Sequence, residues 1–278
     1  MMRIFLTFLM LVAAALAQAQ EQPDPRLIRA ADEVALAYVV TGNAEVDAAS
    51  EAGLRGISQV LAARTTVEPG APIGLDLDRD DLSLLTFIYW PVTDSQPSPS
   101  PQAYVRLNHF LRSGGVILFD TRDGDIAGLG GPDGAAALQR LAAPLDIPPL
   151  APVPRDHVLT RTFYLLQDFP GRYQGRDIWA EAPPADAAAA EGVPFRSLND
   201  GVSPVIIGGN SWAEAWAVDD SGLPMFSVGS GLDGERQREM ANRFGVNLIM
   251  YVLTGNYKSD QVHVPALLDR LRQEEAIR

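Results

Sequence analysis

The chain has 278 residues, of which 47% are hydrophobic and 21% charged, and this composition predicts one large folded domain, with or without a subdomain. Its formal net charge of −13 repels the phosphates of nucleic acids, so we expect no nucleic-acid partner. The absence of cysteine excludes thiol nucleophiles, thiolate metal sites and redox motifs. With only three histidines, a multi-histidine metal site is not expected either. We assign no metal ligands and expect no cofactor.

The first 19 residues have the pattern of a secretory signal peptide. Arg3 precedes an apolar run over residues 4–16, and Ala17-Gln18-Ala19 is a small-x-small cleavage site. The run has about 13 residues, fewer than the roughly 20 of a membrane-spanning helix, which favours cleavage near Ala19 over a retained anchor. We therefore expect an exported, periplasmic protein with a signal peptide (1–19), an N-terminal linker (20–32), one α/β domain (33–273) and a tail (274–278).

In the amino-terminal half, predicted strands alternate with amphipathic helices. Residues 33–41 form an apolar run that ends at a Gly-Asn turn, and residues 44–64 carry apolar side chains at helical spacing. Ser100 is a predicted N-cap, with Pro101 at the first helical position. The predicted elements are strand 33–41, helix 44–64, a short edge strand 74–77, strand 83–90, helix 102–112 and strand 116–120.

The carboxy-terminal half begins with a polar, glycine-rich segment after residue 120, a composition typical of a functional loop. Residues 213–218 and 224–228 suggest a late β-hairpin, but Trp212 and Trp216 also have the spacing of one helical face. The other predicted elements are helix 135–143, strand 205–207, a long helix 234–253 ended by Gly255 and Asn256, and a charged helix 264–273. Together these elements predict a three-layer α/β fold with a mainly parallel sheet.

Two predicted strand ends carry polar groups suited to a site, because open parallel sheets bind ligands beyond the carboxyl ends of their strands. The first is Asp120-Thr121-Arg122-Asp123. In a functional interpretation, Arg122 binds an anionic group and Asp120 or Asp123 acts as a base or metal ligand. In a structural interpretation, Asp120 caps loop amides and Arg122 pairs with Asp123.

The second strand end is the segment 208–212, GGNSW, followed by Glu214. Its glycines would let the backbone approach a ligand closely, with Asn210, Trp212 and Glu214 as the contacts. The structural alternative is the start of a helix that Asn210 or Ser211 caps, with the tryptophans in the core.

Five segments of the chain resemble a known family. They are FIYWPV (87–92), LNHFLRSGGVILFDTRD (107–123), LTRTFYLLQDFPGRY (159–173), DGVSPVIIGGNSWAEAWA (200–217) and GERQREMANRFGVNLIMYVLTGNYKSDQVHVPALLDRL (234–271). Over roughly residues 34–272, the chain resembles the domain of unknown function 4159, the C-terminal domain of bacterial aerotolerance-type BatA-like membrane proteins. That family is similar to class I glutamine amidotransferase-like and trehalose-utilisation-like domains, which implies a flavodoxin-like sheet.

The chain departs from this resemblance in two ways. In amidotransferases of that fold, a cysteine at a strand-to-helix elbow works with a histidine. Here strand 116–120, which most resembles the elbow strand, leads into Thr121 and Arg122, so that nucleophile is absent. Family members usually carry an N-terminal membrane domain, whereas a signal peptide is predicted here, so we expect membrane association only indirectly, through a partner.

These observations favour a non-catalytic, exported amidotransferase-like domain that binds a small polar ligand or a cell-envelope protein partner. The alternative is a hydrolase in which Asp120 and Asp123, together with Glu181, act through a water or a divalent cation, since oxygen ligands suit Mg²⁺ or Ca²⁺. The missing nucleophile favours the first interpretation.

We expect the exported protein to begin near Gln20, because small residues at 17 and 19 are what a signal peptidase accepts. Intact-mass measurement on the envelope fraction tests this. The substitution Ala19→Asp should preserve the full-length chain, and an exported wild-type protein that retains Met1 would contradict the prediction.

Overall fold

The computed structural model describes residues 33–124, 133–175, 177–182 and 202–276. The predicted signal peptide and linker, and most of the glycine-rich loop after Gly124, lie outside the described residues.

In the described residues, seven strands form one sheet in the order β2-β1-β3-β4-β7-β6-β5. The pairs β1–β2, β1–β3, β3–β4 and β4–β7 are parallel, while β5–β6 and β6–β7 are antiparallel. The protein is therefore a mixed α/β fold with a mostly parallel sheet. The strands are β1 (Leu36–Val39), β2 (Ile73–Leu75), β3 (Phe87–Pro91), β4 (Val116–Asp120), β5 (Leu150–Pro152), β6 (Trp179–Glu181) and β7 (Val205–Gly208); the helices are α1 (Ala44–Arg64), α2 (Pro101–Arg112), α3 (Asp133–Ala142), α4 (Trp212–Trp216) and α5 (Gly231–Ala276).

Helices cover both faces of the sheet, because side chains alternate between the faces along each buried strand. In β3, Phe87 and Tyr89 pack in one cluster with α1, α4 and α5, while Ile88 and Trp90 pack in the other with α2 and α3. This gives the three layers that the alternation of strands and helices predicts.

The first two helices of the described residues match their predictions. Helix α1 spans the predicted residues 44–64, and the Asn43 side chain caps it by accepting from the amides of Glu45 and Val46. Helix α2 begins at Pro101 with Ser100 as its N-cap, as the sequence predicts.

The predicted hairpin over residues 213–218 and 224–228 is wrong. Residues 212–216 form α4, and an isolated antiparallel bridge joins Val218 to Pro224. The helical alternative is confirmed, but its predicted side-chain cap is not, because Ser211 holds the N-cap position without a side-chain capping hydrogen bond. The amides at this helix start are instead bound by a distant residue, Asp120.

The predicted helix end at Gly255 and Asn256 is also wrong. Helix α5 continues to Ala276 and includes the predicted charged helix 264–273. Glycine disfavours a helix by about 1 kcal/mol relative to alanine but does not forbid it. Among the described residues, no helix combines the length and apolar character needed to cross a membrane.

Strand β3 begins at Phe87 rather than at residue 83, because a turn precedes it. The carboxylate of Asp81 accepts from the amide of Ser83, and the amide of Leu85 donates to the carbonyl of Leu82. The three-residue strands β5, at the edge of the sheet, and β6, beside it, have no counterpart among the predicted elements.

Helix α1 packs against α4 at two glycines. A Cβ on Gly53 would lie 2.4 Å from the carbonyl oxygen of Ala213, and one on Gly56 would lie 1.9 Å from the carbonyl oxygen of Trp216. Both distances are far below van der Waals contact, so only glycine permits this approach. On its other side, α4 is joined to α5 by a 2.8 Å hydrogen bond from Trp216 Nε1 to the carbonyl of Ala241.

We expect Gly56→Ala to lower the free energy of unfolding by roughly 1–3 kcal/mol, the usual cost of overpacking. This loss should exceed the helix-propensity gain of about 1 kcal/mol. Urea denaturation measures the difference, and Gln59→Ala on the exposed face of the same helix should stay within about 0.5 kcal/mol of wild type. An alanine variant at Gly56 as stable as wild type would contradict the close packing.

Candidate functional site

The two polar strand ends singled out in the sequence meet in the structure, because β4 and β7 are neighbouring parallel strands and Asp120 is opposite Gly208. A residue soon after each strand has a left-handed backbone: Arg122 with φ 55° and Ser211 with φ 54°. Non-glycine residues adopt this conformation only when their surroundings impose it.

The buried carboxylate of Asp120 holds Arg122 and Ser211 in the left-handed conformation. Its Oδ1 accepts hydrogen bonds from the amides of Arg122 (3.1 Å) and Ser211 (3.2 Å). Its Oδ2 accepts from the amide of Trp212 (2.8 Å) and from the Tyr89 hydroxyl (2.9 Å). One fully buried side chain thereby joins β3, the turn after β4 and the start of α4.

Burial raises the pKa of Asp120 from 3.8 to about 6, because the charged form loses its hydration. The hydrogen bonds from Trp212, Tyr89 and Arg122, and the charge of the Arg122 guanidinium, act in the opposite direction. The pKa of Tyr89 is raised well above its usual value, first by burial and then by the charge of Asp120.

The β7–α4 turn has the strand-turn-helix form in which some hydrolases place a nucleophile. In those enzymes the amide after the nucleophile helps to form the oxyanion hole. The corresponding residue here is Ser211, and the next amide, that of Trp212, donates to Asp120. A carboxylate of the protein itself therefore occupies the position where a reacting oxyanion would be stabilised.

Glu214 holds two arginines in what we call the arginine clamp, the group Arg122, Glu214 and Arg172. Arg122 Nη2 donates to Glu214 Oε1 at 2.8 Å, and Arg172 Nη1 donates to Glu214 Oε2 at 2.7 Å. The Glu214 side chain is only 9% exposed, whereas the arginines are 25% and 29% exposed. The three side chains together carry one net positive charge.

Two aromatic rings orient Arg172 further. Its guanidinium carbon lies 5.5 Å from the centre of the Tyr173 ring and 5.3 Å from that of Phe226, both within cation–π range. The backbone also fixes this segment, since the amide of Arg172 donates to the carbonyl of Ser211.

The arginine clamp lines a cavity of about 570 Å³, which we call the clamp cavity. This volume is in the range of small-molecule sites. Ser211 also lines it, and its remaining walls are Tyr173, Met225, Phe226 and residues of the first turns of α1.

The other predicted site residues lie near this cavity but are engaged in structural contacts. Thr121 Oγ1 donates to Asp123 Oδ1 at 2.6 Å, so Asp123 contacts Thr121. Asn210 Nδ2 and Trp212 Nε1 both donate to the carbonyl of Phe169, and the Trp212 ring is fully buried.

The structural interpretation paired Arg122 with Asp123, but Arg122 forms an ion pair with Glu214, 92 positions along the chain. The predicted site set also lacked Arg172. The local signals at Arg172 are the neighbouring Gly171 and Tyr173, and neither indicates a partner in α4.

Glu181, the third residue of the hydrolase alternative, lies away from the clamp cavity. The backbone amide of Glu181 donates to Ser203 Oγ, which precedes the amino end of β7. Asp120, in contrast, is opposite Gly208 at the carboxyl end of β7. Among the described residues, no group of three or more acidic or histidine side chains is placed to hold a metal ion.

The family model for a domain of unknown function, DUF4159, matches residues 35–253. The match includes β1 through the first half of α5, and with them every residue of the arginine clamp. None of the curated proteins compared with the chain matches it.

We expect the stability of the wild-type protein relative to Asp120→Asn to fall as pH rises from about 4 to above 6. The raised pKa means that the folded state holds this proton more tightly than the unfolded state, so the contribution of Asp120 is complete below pH 4 and is lost through pH 6. Two pKa units correspond to roughly 3 kcal/mol.

Urea denaturation of both proteins across this pH range measures the difference, because all other titrating groups are shared. A carbon-13 titration of the Asp120 carboxyl with a midpoint near 6 should accompany it. A stability difference that stays constant over this range would refute the prediction.

Proposed function

The chain belongs to the DUF4159 family of domains of unknown function, and for this member we propose a non-catalytic role: binding a small polar ligand with a carboxylate group in the clamp cavity. The observation that carries the proposal is the arginine clamp, in which two guanidinium groups share one buried carboxylate on the cavity wall.

A carboxylate is the group that best complements this wall. Guanidinium is planar and has five N–H donors, which match the two oxygens of a carboxylate. The bond from Arg122 to Glu214 uses one of these donors. The clamp itself carries one net positive charge, and because Glu45 also lines the cavity, the attraction for a carboxylate comes from the two guanidinium groups and not from an overall positive cavity.

Two observations favour binding over catalysis. The chain has no cysteine, and the amide that would stabilise an oxyanion at the β7–α4 turn donates to Asp120. The hydrolase alternative draws no support from the same geometry, since both oxygens of Asp120 accept two hydrogen bonds and Asp123 is bound to Thr121.

We also propose a more distant relationship to other proteins and a location for this domain. The family resemblance and the mostly parallel sheet support a flavodoxin-like, amidotransferase-like ancestry related to BatA-like proteins. The amino-terminal pattern supports export to the periplasm, where any association with the membrane would pass through an envelope partner.

We expect Arg122→Gln to weaken carboxylate binding by roughly 10- to 100-fold, the effect of losing a charge-assisted hydrogen bond of about 1.5–3 kcal/mol. Glutamine is no better suited than arginine to the left-handed backbone, so the two proteins are matched in strain. Arg172 still pairs with Glu214 in the variant. Calorimetric titration with acetate, lactate, succinate and glutamate measures the affinities.

The matched control is Arg112→Gln, which removes an exposed arginine that pairs with Asp146 and does not line the clamp cavity. That variant should bind as wild type does. The proposal is abandoned if none of the four carboxylates binds, or if Arg122→Gln binds them as tightly as the control.

A further inference from the structure

A second cavity, of about 600 Å³, lies at the carboxyl ends of β1, β2 and β3. The chain leaves β1 through α1 to reach β2 on one side, and then returns to place β3 on the other side of β1. The order of strands therefore reverses at β1, and open α/β sheets bind ligands in the crevice at such a switch point. We call this second space the switch-point cavity.

A buried glutamine on its wall has donors with no acceptor. Gln96 is 4% exposed and lines the cavity. Its Oε1 accepts from Trp90 Nε1 at 3.2 Å, which orients the side-chain amide. Within the part of the chain that the structure describes, Gln96 Nε2 has no hydrogen-bond partner. This atom is not completely enclosed by protein. Its two N–H donors are therefore accessible through the cavity.

Two carboxylates in the loop after β2 line the same cavity and supply acceptors. Asp78 Oδ1 accepts from the amide of Ser100, and Asp80 Oδ2 accepts from the amide of Asp76, so each carboxylate is oriented by one oxygen. Asp80 Oδ1 has no hydrogen bond among the described residues, and the exposed Asp78 carboxylate can accept more than the bonds from Ser100. The pKa of Asp78 is lowered by its hydrogen bonds to Ser100, which keeps this side chain charged.

The cavity therefore combines amide donors with carboxylate acceptors, and three aspartates against the single Arg79 make it negative. A negative wall repels an anion, and the described residues hold no group placed to ligate a metal ion. A hydroxyl group both donates and accepts, so it can satisfy Gln96 and the aspartates together.

We propose that the switch-point cavity binds a neutral polyhydroxyl compound of the size of a mono- or disaccharide, with hydroxyl groups that accept from Gln96 Nε2 and donate to Asp78 and Asp80. This site is separate from the clamp cavity and does not depend on the carboxylate proposal.

The indole N–H signals of the four tryptophans provide a test on the intact, nitrogen-15-labelled chain. Trp90 bonds directly to Gln96, whereas Trp212 follows Ser211 in the clamp cavity. Titration with glucose, maltose and myo-inositol should shift the Trp90 signal to saturation and leave that of Trp212 in place. Failure of all three to give a saturable Trp90 shift would overturn the proposal.

Gln96→Glu is the diagnostic variant, because it keeps an oxygen acceptor for Trp90 while replacing the amide donors. We expect it to weaken polyol binding by about tenfold or more. Gln139→Glu, at an exposed position of α3, adds the same charge elsewhere and should bind as wild type does. Binding by Gln96→Glu at wild-type strength would overturn the assignment.

A second variant keeps the test decisive if Gln96→Glu fails to fold. Asp80→Asn retains an oxygen for the Asp76 amide, and its matched control in the same loop is Asp81→Asn, outside the cavity lining. We expect weaker polyol binding for Asp80→Asn only. Equal binding by these two variants would count against the site.

Discussion

Four hydrogen-bond donors converge on the carboxylate of Asp120, which has no contact with solvent. These hydrogen bonds offset only part of the free energy lost when the carboxylate ionises away from water, so losing any one donor would destabilise the fold further. The left-handed residues Arg122 and Ser211 follow from these hydrogen bonds, since both amides must turn inward to reach the same carboxylate. The positions of the Arg122 side chain and of α4 are consequences of that one buried anion.

Glu214 is a second buried anion at the same edge of the sheet, but its partners are cations. Buried ion pairs seldom add net stability, because the loss of hydration offsets their attraction. The arginine clamp is therefore better explained by what it offers to the cavity than by its effect on folding. Asp120 bonds to backbone amides and orients the backbone, whereas Glu214 holds two guanidinium groups in a fixed geometry.

The elements that were predictable are those whose signal is local. Apolar periodicity predicts helix α1, which has an asparagine cap, and the Ser-Pro start predicts α2. Helix α4 has only five residues, and its cap comes from Asp120, 92 positions before Trp212, so the local pattern also suited a hairpin.

The same limit applies to the candidate site. That Asp120, Arg122 and Glu214 lie at strand ends was evident from the sequence, but their pairing depends on which strands are neighbours. Arg172 contacts Glu214 across 42 positions, and no local pattern indicates such a contact. Strands β5 and β6 have only three residues each, which is too few to show alternation.

The glycine contacts between α1 and α4 have a consequence for kinetics. Both helices contribute to the wall of the clamp cavity, and backbone held against backbone at Gly53 and Gly56 leaves no side chain between them to repack. This part of the wall exists before the proposed ligand arrives, so binding there requires little ordering of the protein. Association should then be governed by diffusion and charge, and occupancy should follow changes in ligand concentration without delay.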